Sequence, residues 1–307
     1  MRNYRMTANL KLHHLRHFVA IAQHQSVRSA ARALGLAQPA VTRSLRELEK
    51  ELNASLVERH ARGVVLTEVG KRFLVRAQSA VSEVQRASEE VGQLGGSGEG
   101  TVVAALSAAA MLALAAPAIS AFRLGYPRVH LRLIEAVFPT VESRLLDGQL
   151  DFYVGAKPVH MPRELRSEFF FHNERVVVAR QGHPLSSARS LKQLIQADWI
   201  MTGLREKEEA EFEELFSAFD LAAPHSRTRI ESMVGLLMVM SSTDALVLLP
   251  RQWTNLPLFK GVLAPILIEE KLRAPDIVLI ARSSVPLTPV AERFAVLLQR
   301  AAGKPFV

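Results

Sequence analysis

The sequence predicts an α plus α/β chain: a small helical head with a β-wing, one long helix, and an α/β body from Thr101 onward. Three observations carry this. Two short amphipathic helix patterns flank Gly35 within Ser26–Leu52. Apolar residues recur at alternating spacings of four and three from Phe73 to Leu94. After the Gly-rich stretch Gly95–Gly100, short apolar runs alternate with helical patterns.

The first ten residues lack the apolar core of a signal peptide and read as a disordered start. A helical stripe follows, formed by Leu12, Leu15, Phe18, Val19 and Ala22. His13 and His17 lie at i, i+4; with no third ligand at a suitable spacing they read as helix surface, and no metal site is expected. Ser26 stands at an N-cap position before Val27, Ala30, Ala31 and Leu34, and Gly35 can end that helix in the left-handed conformation. The next helix opens on Gln38-Pro39, where the missing proline N–H costs nothing, and buries Val41, Leu45, Leu48 and Leu52. Gln38, Thr42, Arg43, Arg46 and Lys50 are left facing outward. Such a face suits a major groove, where Arg and Gln read base edges and Lys neutralises phosphate, so the pair reads as a helix-turn-helix. Two ordinary surface helices with solvated charges are the alternative.

Residues 56–67 then form a wing, with a turn at Ala61–Gly63, a return strand Val64–Leu66, and Arg59, His60 and Arg62 placed to reach DNA backbone or minor groove. Thr67 with Glu68 caps a helix running to Leu94. On it Phe73, Ala77, Ala80, Val84, Ala87, Val91 and Leu94 form a heptad seam that needs a partner helix, most simply its own copy. A solitary amphipathic helix packed on the body is the alternative.

In the body, Val102–Leu106, Val129–Ile134, Phe152–Val154, Val176–Ala179, Trp199–Met201, Ala245–Leu249 and Ile277–Ile280 read as strands. Met111–Phe122, Val141–Leu146, Glu208–Phe219, Met233–Met240 and Val290–Ala301 read as helices. That alternation indicates mainly parallel sheets. The uncharged run Val102–Ile119 is long enough to raise a membrane span, but Ser107 and Pro117 divide it into a strand and a helix, and no membrane partner is expected.

Charge separates the two parts. Residues 1–95 hold 15 Lys and Arg against 8 Asp and Glu, whereas residues 96–307 hold 23 against 22. A basic head on a neutral body implies a polyanion partner for the first, which the helix-turn-helix specifies as double-stranded DNA, and another task for the second. With no cysteine, disulfides, thiolate-bound zinc, thiol catalysis and thiol redox sensing are excluded. No G-x-S-x-G elbow, no G-x-G-x-x-G after the first body strand and no P-loop occurs, so no enzyme and no cofactor is expected. A solute receptor would need export, and the start of the chain points instead to a cytoplasmic protein. A nonspecific architectural DNA-binding protein is the alternative that basic charge alone would serve.

The ordered set Leu15, Phe18, Ser26, Ala30-Ala31, Leu34, Gln38-Pro39-Ala40, Leu48-Glu49, Leu56, Arg59, Leu66-Thr67 and Gly70 resembles the N-terminal domain of LysR-type transcriptional regulators. The resemblance continues in Phe122, Tyr126-Pro127, the LLDGQLDFYV run with Asp151, the segment Gly182–Leu185, LVLLP ending at Pro250, and a last helix after Pro289. It implies a winged helix-turn-helix over residues 10–67, a linker or dimerisation helix over 68–94, a hinge at 95–100 and an effector-binding domain over 101–307. That last domain would be periplasmic-binding-protein-like, with one subdomain at about 101–172 and 272–307, a second at 173–271, and an inducer cleft between them. The resemblance further implies a homotetramer built as a dimer of dimers, and contact with RNA polymerase. Three positions depart from the family pattern: Ala37 stands where Ser or Thr caps the recognition helix, Thr42 where Ser is commoner, and Asn53 where Gly is usual. Thr keeps a hydroxyl and Asn tolerates the left-handed conformation.

The expected DNA contacts are Gln38, Pro39, Thr42, Arg43 and Arg46 for base reading or groove positioning, and Lys50, Arg59 and Arg62 for phosphate. Two-fold pairing of the seam would set two recognition helices on successive major grooves, so the operator should be an interrupted near-palindrome. For the effector, Ser107 and Ser232 each precede a helix and Thr202-Gly203 follows a strand, which would suit a small organic anion as inducer. Ala108, Phe138 and Met233 would hold its apolar part. The alternative is that these hydroxyls are only helix caps.

Overall fold

The computed structural model describes residues 10–60, 63–202, 205–256 and 259–303. The head packs α1 (Leu12–His24), α2 (Val27–Leu34) and α3 (Gln38–Leu52) around buried Phe18, Ile21, Ala30, Val41, Leu45, Leu48 and Leu56. Each boundary has a local cause. Ser26 Oγ accepts from the Ser29 N–H at the start of α2, and Gly35 ends that helix at φ 66. Ala37 provides no side-chain cap, so α3 begins on the Ala37 carbonyl, which accepts from the Ala40 and Val41 N–H groups, with Pro39 in the first turn. Asn53 closes α3 at φ 47 and ψ 40, the left-handed region that asparagine tolerates.

The wing strands β1 (Val57–His60) and β2 (Gly63–Leu66) pair antiparallel, and the Gln25 carbonyl anchors them by accepting from the Val64 N–H at 2.9 Å. Helix α4 (Glu68–Leu94) follows directly. Thr67 Oγ1 accepts from the Gly70 N–H and donates to the Ser55 carbonyl, tying the helix start to the end of the head.

Along its length α4 presents three faces. Phe73 and Ala77 pack on α1, with the Phe18 and Phe73 rings 5.6 Å apart and Ala77 at 1% exposure. This corrects the seam read from sequence: its first two positions close the core of the head, and the free part begins at Ala80. Ala80, Val84, Ala87, Val91 and Leu94 are exposed. A third stripe lies against the body. Gln149 donates to Gln78, the Ser82 hydroxyl to the Gly148 carbonyl, the Thr101 N–H to Glu89, and the Val290 N–H to Gln93. Arg86 meets Asp151 at 3.0 Å, and Glu83 meets Arg282 at 2.6 Å. Asp151 is buried and also accepts from the Val103 N–H; burial pushes its carboxyl up, and Arg86 opposes that shift.

The glycine-rich joint is a pinned corner. The Gly95, Gly96 and Ser97 N–H groups return to the carbonyls of Val91, Gln93 and Gly92; Gln93 donates to the Glu99 carbonyl, and Arg128 holds the Ser97 carbonyl and the Glu99 carboxylate. Gly100 has φ 143, and a Cβ there would stand 2.4 Å from Gln93 Nε2. The segment expected as a hinge, 95–100, is bridged by these hydrogen bonds, which the backbone of so tight a turn and the Gln93 and Arg128 side chains supply.

In the body β3 (Gly100–Leu106) leads to α5 (Ala108–Ala110), a π-helical turn (Met111–Ala115) and α6 (Ala116–Gly125). Pro117 has no N–H for the Ala113 carbonyl, and the helix widens just before it. Then come β4 (Val129–Glu135), α7 (Phe138–Leu146), β5 (Phe152–Ala156), β6 (Leu165–Arg180) and β7 (Asp198–Met201). The chain continues through α8 (Arg205–Ser217), β8 (Thr228–Arg229), α9 (Met233–Ser242), β9 (Ala245–Pro250), β10 (Leu263–Ile266), β11 (Leu272–Arg282) and α10 (Pro289–Ala302).

Among the described residues these strands form one sheet in the order β4-β3-β5-β11-β6-β9-β7-β8, with β10 beside β6. Parallel pairing, expected to dominate, is confined to the two ends: β4, β3 and β5 at one, β9, β7 and β8 at the other. The centre is antiparallel, where the long strands β6 and β11 run from one subdomain into the other. Their register breaks between Ala274 and Ile277, at the passage between the subdomains. The first subdomain is built on Val102, Leu106, Leu114, Phe122, Phe152 and Phe294. The second has cores on both sheet faces, one around Trp199 and Phe216, the other around Met240 and Trp253. The run Ala108–Gly125 is long and apolar enough to cross a membrane, yet it supplies Ala110, Leu114, Ala118 and Phe122 to the first core, which accounts for its composition.

Candidate DNA-binding and effector sites

On α3 the side chains of Gln38, Pro39, Arg43, Arg46 and Lys50 are exposed and Thr42 is half-buried, so one helix face is uncovered. Arg59 stands on β1, and its side chain, like the whole of Arg62, lies outside the described residues. The Arg43 guanidinium bonds Glu47 at 2.9 Å, one turn on, and holds the Glu47 carboxyl below the usual carboxylate range. Glu47 was not among the residues the sequence pointed to. His17, expected on the helix surface, is half-buried, with Nδ1 2.8 Å from Ser44 Oγ on α3.

A cleft of about 460 Å³ opens between the subdomains. The first contributes Ser107, Ala108 and Thr140; the second contributes Thr202, Ser232, Met233 and Trp253; Asn173, Arg175 and Ile277 of the crossing strands form its floor. Ser107 Oγ accepts from the Ala110 N–H at 3.3 Å and Ser232 Oγ from the Gly235 N–H at 3.2 Å, so both hydroxyls act as helix caps. Gly203 lies outside the described residues.

Phe138 does not line the cleft. It is 3% exposed and packs on Tyr153, with ring centroids 6.0 Å apart. The buried stripe of α7 is Phe138, Val141 and Leu145, and that spacing turns Phe138 into the first subdomain while Thr140 faces the opening. Asn173, Arg175 and Trp253 were missed. Arg175 is ion-paired with Glu211 on α8. Asn173 Oδ1 and Trp253 Nε1 are buried polar atoms without a hydrogen-bond partner among the described residues.

A head with an uncovered groove-sized helix face, joined by a long helix to a two-lobed body with a central cleft, defines a ligand-binding transcriptional regulator. Comparison with known proteins specifies the kind. The profile described as "Bacterial regulatory helix-turn-helix protein, lysR family" matches residues 12–71, and that of the "LysR substrate binding domain" matches residues 95–303. The chain belongs to the LysR family of transcriptional regulators, which are not enzymes. It is 29% identical to the HTH-type transcriptional regulator GbpR of Azospirillum brasilense over 258 residues, covering 81% of this chain and 74% of that protein. Among solved structures, a full-length OxyR variant from Pseudomonas aeruginosa superposes with a TM-score of 0.71 at 20% identity, covering 96% of this chain and 95% of that one. Full-length CbnR complexed with target DNA gives 0.55 at 19% identity, over 95% of this chain and 100% of that one. At these identities the two structures bear on the fold alone.

Proposed function

We propose that residues 10–67 bind DNA through α3 and the wing, that 68–94 pair with a second copy, and that 101–307 bind an inducer between subdomains divided at about residues 172 and 272. The carrying observation is the uncovered face of α3, on which Gln38, Thr42, Arg43 and Arg46 meet base edges or position the helix, beside Pro39 in its first turn, while Lys50, Arg59 and Arg62 meet phosphate. The operator is an interrupted near-palindrome read by a dimer, and two dimers join in a homotetramer that works in the cytoplasm and contacts RNA polymerase. Arg43→Ala or Arg46→Ala should weaken operator binding by about 1–3 kcal/mol and relax preference at one base pair, whereas Lys50→Ala should weaken all sequences alike and flatten the salt dependence. Titration of operator against random duplex at fixed salt checks this; equal loss on both by the Arg variants would point to a nonspecific architectural protein.

The inducer is a small organic anion with an apolar body. The starts of α5 and α9 face the cleft from opposite subdomains, Arg175 lies on its floor, and Ala108, Ile200, Met233, Leu236 and Trp253 give apolar walls. Glu135 and Glu231 also line the cleft, which favours one negative charge over two. Monocarboxylates should raise the melting temperature of the full chain while their amides do not, and Arg175→Gln should remove most of that rise. An equal rise with acid and amide would contradict the anionic reading.

A further inference from the structure

We propose that His14 is a positioning residue for DNA reading: through Glu47, its buried ring sets how firmly Arg43 is held along α3 and away from the groove. His14 is 1% exposed, on the side of α1 that meets α3. Its Nε2 stands 3.3 Å from Glu47 Oε2 and its Nδ1 3.8 Å from Glu51 Oε2, and neither ring nitrogen has a hydrogen-bond partner among the described residues. The other oxygen of Glu47 accepts from Arg43 Nε at 2.9 Å. One carboxylate is thus shared between a buried imidazole and an arginine whose side chain is 83% exposed on the DNA face.

The groups facing His14 are few. From its own helix come His13, with ring centroids 4.3 Å away, and His17; from α3 come Glu47 and Glu51. Among the described residues no ion pair joins it to α2, α4 or the wing. His17 titrates below the ordinary range, first because it is buried and then because His13 and His14 are near, and its Nδ1 is engaged by Ser44. His14 is therefore the ring of this cluster that lies between two carboxylates.

A neutral His14 leaves Arg43 as the strong partner of Glu47, and the i, i+4 pair keeps the guanidinium along the helix. A protonated His14 forms ion pairs with Glu47 and Glu51. Glu47 then holds Arg43 less strongly and presents less negative charge toward phosphate. On the reading that Arg43 enters the groove, the DNA-bound state needs it extended, so proton binding at His14 and operator binding favour one another, and the coupling is reciprocal. The sign follows: operator affinity rises as His14 takes up a proton, that is, as pH falls.

The test is an operator titration of the full chain at constant salt, repeated at a series of pH values from about 8 to about 6. Wild type should gain roughly three- to tenfold in affinity beyond the gain of His14→Gln. Glu47→Gln should show the same flattened profile at high affinity throughout, and in Arg43→Ala the His14-dependent component should vanish. His13 and His17 lie beside His14 and respond to its charge, so Glu47→Gln, which keeps all three rings, is compared with wild type in parallel. Thermal melting at both ends of that pH series reports whether His14→Gln folds; if it does not, wild type against Glu47→Gln decides. Parallel profiles for wild type, His14→Gln and Glu47→Gln would overturn the proposal and leave His14 with packing alone.

Discussion

An aspartate at both Val84 and Val91 is expected to turn the protein into a monomer and to lower its affinity for a two-half-site operator by about two to four orders of magnitude. Val84 is 46% and Val91 72% exposed, on a face of α4 that neither the head nor the body covers. Alanines at 80 and 87 between them allow a second helix to approach closely. Pairing of identical helices would bury each new carboxylate against its own copy, unpaired. The monomer itself should melt close to wild type, because both side chains are exposed. Sedimentation velocity with operator binding measures both effects. A variant that remains dimeric would mean that contacts between the bodies suffice.

Gly70→Ala is expected to destabilise the head by about 3 kcal/mol, at the upper end for added volume in a packed site. Gly70 lies in the first turn of α4, and a Cβ there would stand 2.0 Å from the Leu56 carbonyl oxygen and 2.9 Å from its carbon. The obstacle is backbone, and it is fixed in place: the Leu56 carbonyl accepts from the Thr67 N–H at 3.0 Å, while Glu49 accepts from the Leu56 and Val57 N–H groups. Either the helix start or the β1 junction must move, and Thr67 would lose a bond with it. Calorimetry should show an early transition and operator binding should fail, while the thermal shift given by an inducer remains. An unchanged melting profile would show that the junction yields at little cost.

The head was legible because its signals are local. Ser26, Gly35, Pro39, Asn53 and Thr67 each mark a boundary within a few residues of where it falls, and apolar spacing alone turns each helix toward the core. The Phe73 to Leu94 pattern was legible as a stripe but not in its division, since the same spacing serves a neighbour in the chain and a partner outside it. The body was less legible. Residues 165–175 alternate poorly and contain charges, and their partner along this stretch is β11, distant in sequence, with β9 joining only from Arg175. The cleft suffered most. Arg175 and Asn173 acquire their position from the passage of β6 between subdomains, and Trp253 from a turn after β9; no local motif marks either. Phe138 carries no local sign of which side of α7 the core takes, and the helix turns it inward.

The Gln93 amide donates to the corner at Glu99 and accepts from the start of α10, so the end of α4 is gripped by the body at the same point where the chain turns. With 27 residues, α4 is a rod about 40 Å long, and the head is fixed to its far end. Because the first subdomain also holds it at Gln78, Ser82, Glu83, Arg86 and Glu89, the rod follows that subdomain: a rotation of about 5° carries α3 sideways by about 3.5 Å, close to the rise of one base pair. An inter-subdomain rotation of that size, too small to alter the outline of the body, would be geared up by the rod into a whole step of phase between two half-sites.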